Sequence, residues 1–385
     1  MRLILALLTI SLLSGCSSLK FWESEDEVDE LAPAELVDFN ESIKVKKLWS
    51  EGIGAQDELY SNLVPVLADG VIYGADDDGD VRAISASSGK VLWKKDVKGQ
   101  LSGGVGAGGD LVMVAGIEGK IYALESGSGS VRWTTDISRE VLSAPASNGS
   151  EVVIQTLDGF LIGLEAASGA ELWRYRVDIP SLTLRSGTSP VITGTTAIAG
   201  FPNGKVIAVN TTNGRLLWEN RVALPKGRSE LERMVDIAGN PILEGEMVYV
   251  TSYHGRSAAI VRGTGRSIWY QDMSSYRQPG HGADQVYVAL ENDELKALRA
   301  NSGQEIWTNA QLKYRVLSAP AYASGYVAVG DSEGYLHVMS ATDGSFAGRK
   351  KIDGSGISAP ILSDGNVVYV FDNDGTVGAY QFVPR

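Results

Sequence analysis

Four sets of residues in this 385-residue chain have types and spacings that could do chemistry. Gly104, Gly106 and Gly109 satisfy G-x-G-x-x-G, the fingerprint that cradles a pyrophosphate where a strand gives way to a helix. Here the alternating run Leu111-Val112-Met113-Val114 follows, which reads as a strand, so an inter-blade loop is expected instead of a dinucleotide site. Asp76-Asp77-Asp78-Gly79-Asp80 is acidic enough for calcium, but the twelfth loop position, where a bidentate Glu would close the site, is Ser87. His254, His281 and His337 lie far apart with no H-x-x-x-H spacing and are expected at surfaces or turns. Cys16 is the lone cysteine, which excludes an intramolecular disulfide and a cysteine metal cage. Neither a G-x-S-x-G elbow nor a carboxylate pair suited to acid–base work is present. The expectation is a protein without catalytic residues, metal or cofactor.

The elements that would have to position such residues are repeats. Trp49, Trp93, Trp133, Trp173, Trp218, Trp269 and Trp307 recur every 38 to 51 residues. Each later member closes the same phrase of a Gly turn, a short alternating strand, a second Gly turn and a strand ending at Trp. A second marker, a proline heading an apolar strand, recurs at Pro65, Pro145, Pro190, Pro241, Pro320 and Pro360. Short strands and Gly turns with a period of about 40 residues specify a β-propeller. One blade cannot cover its own two apolar faces, so the indoles, expected at the end of each third strand, should seal blade to blade. Counting both markers gives eight four-stranded antiparallel blades. The seventh copy carries Gly348 where Trp is due, and the eighth lacks a Trp strand that the segment around Trp49 can supply. Ring closure by this N-terminal strand is therefore expected.

The N-terminus reads as an address. Leu3 to Leu13 is a largely apolar run behind Arg2, too short to span a bilayer and suited to a secretory signal. Leu13-Ser14-Gly15-Cys16 resembles the bacterial lipobox, in which the cysteine is acylated and becomes the first mature residue. Ser17 after it resembles the outer-membrane sorting choice. Six of the eight residues from Glu23 to Glu30 are acidic, the mark of a solvated tether. The expected domains are residues 1–15 as signal peptide, 16–43 as lipidated Cys and flexible tether, and 44–385 as propeller. Net charge is −13, and residues 44–385 hold 32 bases against 38 acids without a basic face. Nucleic-acid binding is excluded on that ground.

The two longest inter-blade connectors are consecutive: Trp173 to Pro190 and Trp218 to Pro241. Neighbouring insertions on one face of a repeat protein mark a binding face. The first contains Leu182-Thr183-Leu184-Arg185 and the second Glu230-Leu231-Glu232-Arg233-Met234-Val235-Asp236. On residues alone the leucines are either core or an exposed hot spot beside Arg185.

The Trp-ended copies resemble the repeats of pyrroloquinoline-quinone dehydrogenases. Together with the lipobox, the acidic tether and Ser181-Leu182-Thr183-Leu184-Arg185 ahead of Ser189-Pro190, the chain resembles the BamB family across its mature length. Members are lipoprotein subunits of the complex that inserts β-barrel proteins into the bacterial outer membrane. The resemblance implies a non-enzymatic scaffold held to the periplasmic face of that membrane by its lipid alone. It also implies contact with the POTRA domains of BamA, with the other subunits through BamA, and with nascent barrel clients as further candidates. Leu182, Leu184, Arg185 and Asp236 would carry the BamA contact, and Ala238 replaces the second Asp of the family's Asp-x-Asp. A periplasmic ligand-binding or sensor propeller and a quinone-dependent dehydrogenase are the competing readings. The second would need an Asp base, a calcium site and a longer chain.

Overall fold

Strand-forming residues sit between glycines that turn the chain back about every ten residues, and the outcome is a ring of eight antiparallel sheets. The computed structural model describes residues 31–54 and 62–385. Met1–Pro33 and Ala34–Arg385 are separate units, and the second is the propeller. Among the described residues there is no helix. Blade 4 shows the pattern: Val191–Thr193, Thr196–Gly200, Lys205–Asn210 and Leu216–Arg221 run from the channel outward. Its two middle strands are buried on both faces, from Ala197 to Gly200 and from Val206 to Val209, because a blade covers each side. The outer strand is open along one edge and keeps its charged residues there.

Every Trp of the series lies in the outermost, fourth strand of its blade. In six blades it is the third residue of that strand, correcting the expected position at the end of a third strand. The miscount has a physical origin. The inner strands are only two or three residues in several blades, such as Ala146–Ser147, too short to register as an alternating pattern. A register shift beside each Trp turns the indole toward the next blade. There its Nε1–H donates to the carbonyl just past that blade's third strand, at 2.5 to 3.0 Å. The ring rests on a turn glycine of the same neighbour. A Cβ on Gly214 would stand 2.6 Å from the Trp173 ring, and its φ of +68° is itself glycine territory. Trp and Gly are thus two halves of one inter-blade joint, 41 residues apart at Trp173 and Gly214.

The ring closes as expected. Ile43–Gly52 pairs antiparallel with Thr376–Pro384, Ile43 opposite Pro384 and Gly52 opposite Thr376, as the outer strand of the eighth blade. From that blade Trp49 reaches Ala86 in blade 1. In blade 7, Gly348 sits opposite Val338 just as Trp307 sits opposite Ala297. The space a Trp would fill is taken by Ile43, whose side chain lies 2.9 Å from where a Gly348 Cβ would be. The tether boundary moves: residues 34–42, expected within the flexible segment, lie along blade 7. Ala34 N–H donates to Lys313 O and Ser42 N–H to Ala347 O, each at 2.9 Å. Phe39, stacked on Phe346, is an apolar anchor that the acidic composition around it concealed, and the Val37 carbonyl accepts from Arg349.

Candidate functional site

The connectors that run from each outer strand to the next inner strand gather around one mouth of the central channel. Asn62, Ser186, Asn240, Arg277, Leu317 and Ser358, drawn from six of them, line a cavity of about 230 Å³ there. This is the connector face, and Leu182, Leu184 and Arg185 belong to it.

The first long connector is held from below by the second. Thr188 Oγ1–H donates to Ile237 O at 2.7 Å, and Ser189 N–H to Asn240 Oδ1 at 2.7 Å. Ile237 fills the hollow over Gly200, where any side chain would collide with it. Asp236, 0% exposed, accepts the Leu184 N–H on Oδ2 at 2.5 Å. Its other carboxylate oxygen is buried without a hydrogen-bond partner. Burial pushes this carboxyl up to about 6, against the opposing pull of the Leu184 bond. Asp236 lies under the connector and meets the Leu184 backbone rather than the Arg185 guanidinium.

Arg185 pairs instead with Glu140 of the blade 2 to blade 3 connector, Nη2 to Oε1 at 2.6 Å, with both side chains half exposed. A pair this open contributes little stability, about 0–1 kcal/mol. It does aim the guanidinium. The Arg185 backbone is left-handed, φ +53°, and its N–H meets Thr183 Oγ1 at 3.2 Å. Leu182 is 38% exposed and Leu184 is partly buried. Neither joins the packed core between blades 3 and 4, where Val177 and Ile179 are the connector residues that pack inward. A bend at Ser181 and Leu182 turns the connector ahead of Leu184.

The second connector divides in two. Val235 to Ala238 is buried, whereas Leu224 and Leu231 stand out in solvent. Ser229 and Glu232 close the exposed half: Glu232 Oε2 accepts the Arg228 N–H at 2.6 Å, and Ser229 Oγ accepts the Glu232 N–H at 3.2 Å. The Arg228 and Ser229 backbone N–H groups, both donating to it, hold the Glu232 carboxyl below its ordinary range. Sequence reasoning passed over Leu224, Leu231 and Glu140. The Ser229-x-x-Glu232 capping pattern marks the turn that carries Leu231; nothing in the sequence marks Glu140, 45 residues from Arg185.

The other chemical candidates separate. Gly104 and Gly106 lie in the inner strand Leu101–Gly108 of blade 2, not in a loop. Gly106 is a glycine because the backbone leading into blade 3 comes too close for a Cβ, which would overlap Pro145 O, and Gly104 because its φ of +145° is glycine territory. Asp76 accepts the Asp80 N–H at 2.9 Å and shapes a turn. His337, expected at a surface, is fully buried between Asp331 at 2.9 Å and Arg349 at 3.2 Å. Among the described residues no three His, Cys, Asp or Glu side chains converge as a metal site would require. Cys16 lies outside the described residues.

A family model described as outer membrane protein assembly factor BamB matches residues 77–309 and 291–382. The outer membrane protein assembly factor BamB of Pseudomonas aeruginosa is 51% identical over 377 residues, 97% of each chain. The crystal structure of BamB from Moraxella catarrhalis superposes with a TM-score of 0.79 at 26% identity, covering 88% of this chain and all of that one. The quinohemoprotein alcohol dehydrogenase of Comamonas testosteroni superposes at 0.67 over 88% of this chain and 76% of its own, but at 14% identity it shares the fold alone. The chain belongs to the BamB family of outer membrane protein assembly factors.

Proposed function

We propose that this chain is a non-enzymatic scaffold of the outer-membrane assembly machinery, binding the periplasmic POTRA domains of BamA through its connector face. One observation carries the reading: an exposed Leu182-Thr183-Leu184-Arg185 connector pinned from beneath by a buried carboxylate. An exposed Leu182 and a half-buried Leu184 beside an oriented guanidinium make a compact binding hot spot. Membership of a family named for outer membrane protein assembly supplies the partner class. Co-purification of BamA from detergent-solubilised membranes tests it. Recovery of this chain without BamA, with tight stoichiometric uptake of a quinone and calcium instead, would favour the dehydrogenase reading.

Asp236 is assigned a positioning role. Its folded-state carboxyl titrates near 6, above the ordinary 3.8, so the folded chain binds the extra proton between those values. Stability from this group therefore falls as pH rises from about 4 through 6 and is level above that, by no more than about 3 kcal/mol. Asp236→Asn should abolish that slope, measured by urea unfolding at pH 4.5 and 7.5. It keeps an acceptor for the Leu184 N–H and should bind BamA normally, whereas Asp236→Ala should weaken binding. If the Asn variant binds as poorly as Ala, the charge itself contacts the partner.

The chain is further proposed to reach the membrane through acylated Cys16, on the periplasmic face of the outer membrane. Exported Cys16→Ala protein should carry no lipid and fractionate with the soluble periplasm in cells lacking BamA. Buried acyl chains supply about 0.8 kcal/mol per CH₂, so their loss removes the anchor. Persistence of that variant in outer-membrane fractions would show a second attachment.

A further inference from the structure

Blade 7 lacks the Trp that seals every other joint of the ring; Ile43 of the closing strand takes its place, and the chain just ahead of that strand lies along the blade. Phe39 stacks on Phe346, ring centroids 5.1 Å apart, and the Arg349 guanidinium sits 4.9 Å from the Phe39 centroid. Two arginines bind the segment's backbone: Arg349 Nη1 donates to Val37 O at 2.9 Å and Arg315 Nη1 to Ala34 O at 2.8 Å. Neither guanidinium is free to swing away. Arg315 is held by Asp331 at 2.7 Å and Glu333 at 2.6 Å, and Arg349 Nε by His337. Preorganised, desolvated donors of this kind hold a backbone carbonyl more firmly than solvated ones do.

The path of the segment has a direction. Ser42 is joined to Ala347, near the start of the blade 7 outer strand, and Ala34 to Lys313 on the blade 6 to blade 7 connector. Val316 and Leu317 of that connector line the same channel mouth as Ser186, next to Arg185. The segment thus climbs the side of blade 7 and ends at the connector face.

We propose that residues 34–42 are a strap, docked through Phe39 and the Arg315–Arg349 pair, that makes the preceding chain leave the propeller from the connector face. The strap spends nine residues of what composition marks as tether. Residues 17–33 then reach on the order of 60 Å when fully extended, against about 90 Å for a tether running to residue 43. The consequence rests on the proposed anchor at Cys16: a lipid-held propeller would keep the face bearing Leu182, Leu184 and Arg185 toward the side from which it is tethered. The docking itself needs no anchor, and its test is independent of one.

Two measurements on the full chain test the strap. In hydrogen exchange, amides of residues 34–42 should be protected at least tenfold over an unfolded peptide. Phe39→Asp should remove that protection while residues 43–52 stay protected and melting moves little. A photoreactive benzoylphenylalanine at position 34 should crosslink to the peptide containing Lys313 to Val316, and should lose that product in the Phe39→Asp background. Free exchange of 34–42 in the unaltered protein, or crosslinks from position 34 to any other part of the ring, would overturn the proposal. So would Phe39→Asp leaving both readouts unchanged. Should Cys16→Ala protein prove membrane-bound, the anchor reading fails while these outcomes still decide the strap.

Discussion

Deleting residues 44–52 should cost the protein its cooperative fold, seen as loss of the melting transition or a fall of tens of degrees. Eight register pairs along Thr376–Val383 disappear with the strand, leaving an unpaired edge on the eighth blade. Val45 leaves a core cluster that also holds Tyr380, Phe382 and Ile361. Trp49 leaves its place against Tyr369, above Gly89, with its Nε1–H on Ala86 O. Burying an indole of 150–250 Å² stabilises by about 4–6 kcal/mol at most. The remaining losses compound it, because the last and first blades then each show a bare apolar face. Folded domains stand only about 5–15 kcal/mol above unfolding, so this is a disabling sum. The control is deletion of 23–30, which stops short of the docked Ala34 and should leave melting unchanged. Equal melting of the two truncations, followed by circular dichroism, would mean that the seam carries no stability.

What made the ring legible is that every joint but the one from blade 7 to blade 8 constrains the sequence twice, once as Trp on one blade and once as Gly on the next. Large aromatics and obligatory glycines survive as pattern, so fold class, blade count and the closing strand could all be read. The inner strands left weaker marks. Glycines such as Gly106 and Gly280, set by the approach of Pro145 and Pro320 backbone, look like loops when only spacing is seen. Leu182, Leu184 and Arg185 could be located because connector length is countable. The office of Asp236 could not, since its acceptor role depends on an amide 52 residues away. Residues 34–42 were hidden differently: their acids extend the tether's composition, and the pocket that receives Phe39 is assembled from Phe346 and Arg349 at the other end of the chain. His337 was misplaced for the same reason, because a buried histidine is acceptable only where Asp331 and Arg349 converge on it, and convergence has no sequence spacing.

Arg185→Ala and Leu184→Ala should each weaken binding to the BamA POTRA domains tenfold or more, while their melting temperatures stay near that of the parent. Tenfold corresponds to about 1.4 kcal/mol, within the range a hot-spot residue contributes. Stability is spared because, among the described residues, Arg185 has only the exposed Glu140 for a charged partner, and such pairs add about 0–1 kcal/mol. Leu184 is only partly buried, and its backbone N–H still reaches Asp236 after truncation to Ala. A core leucine would behave oppositely, losing about 2–5 kcal/mol of stability on the same change. Glu140→Ala separates two contributions of the arginine. If Glu140 serves only to aim it, binding should fall severalfold and a Glu140→Gln variant should recover most of it. If Glu140 competes with the partner for the guanidinium, removing it should strengthen binding. Titration calorimetry on the soluble propeller, beside a melting curve for each variant, resolves these cases. Binding that survives Arg185→Ala, or that falls only in step with unfolding, would place the contact elsewhere on the ring, with exposed Leu224 and Leu231 of the second connector as the next residues to change.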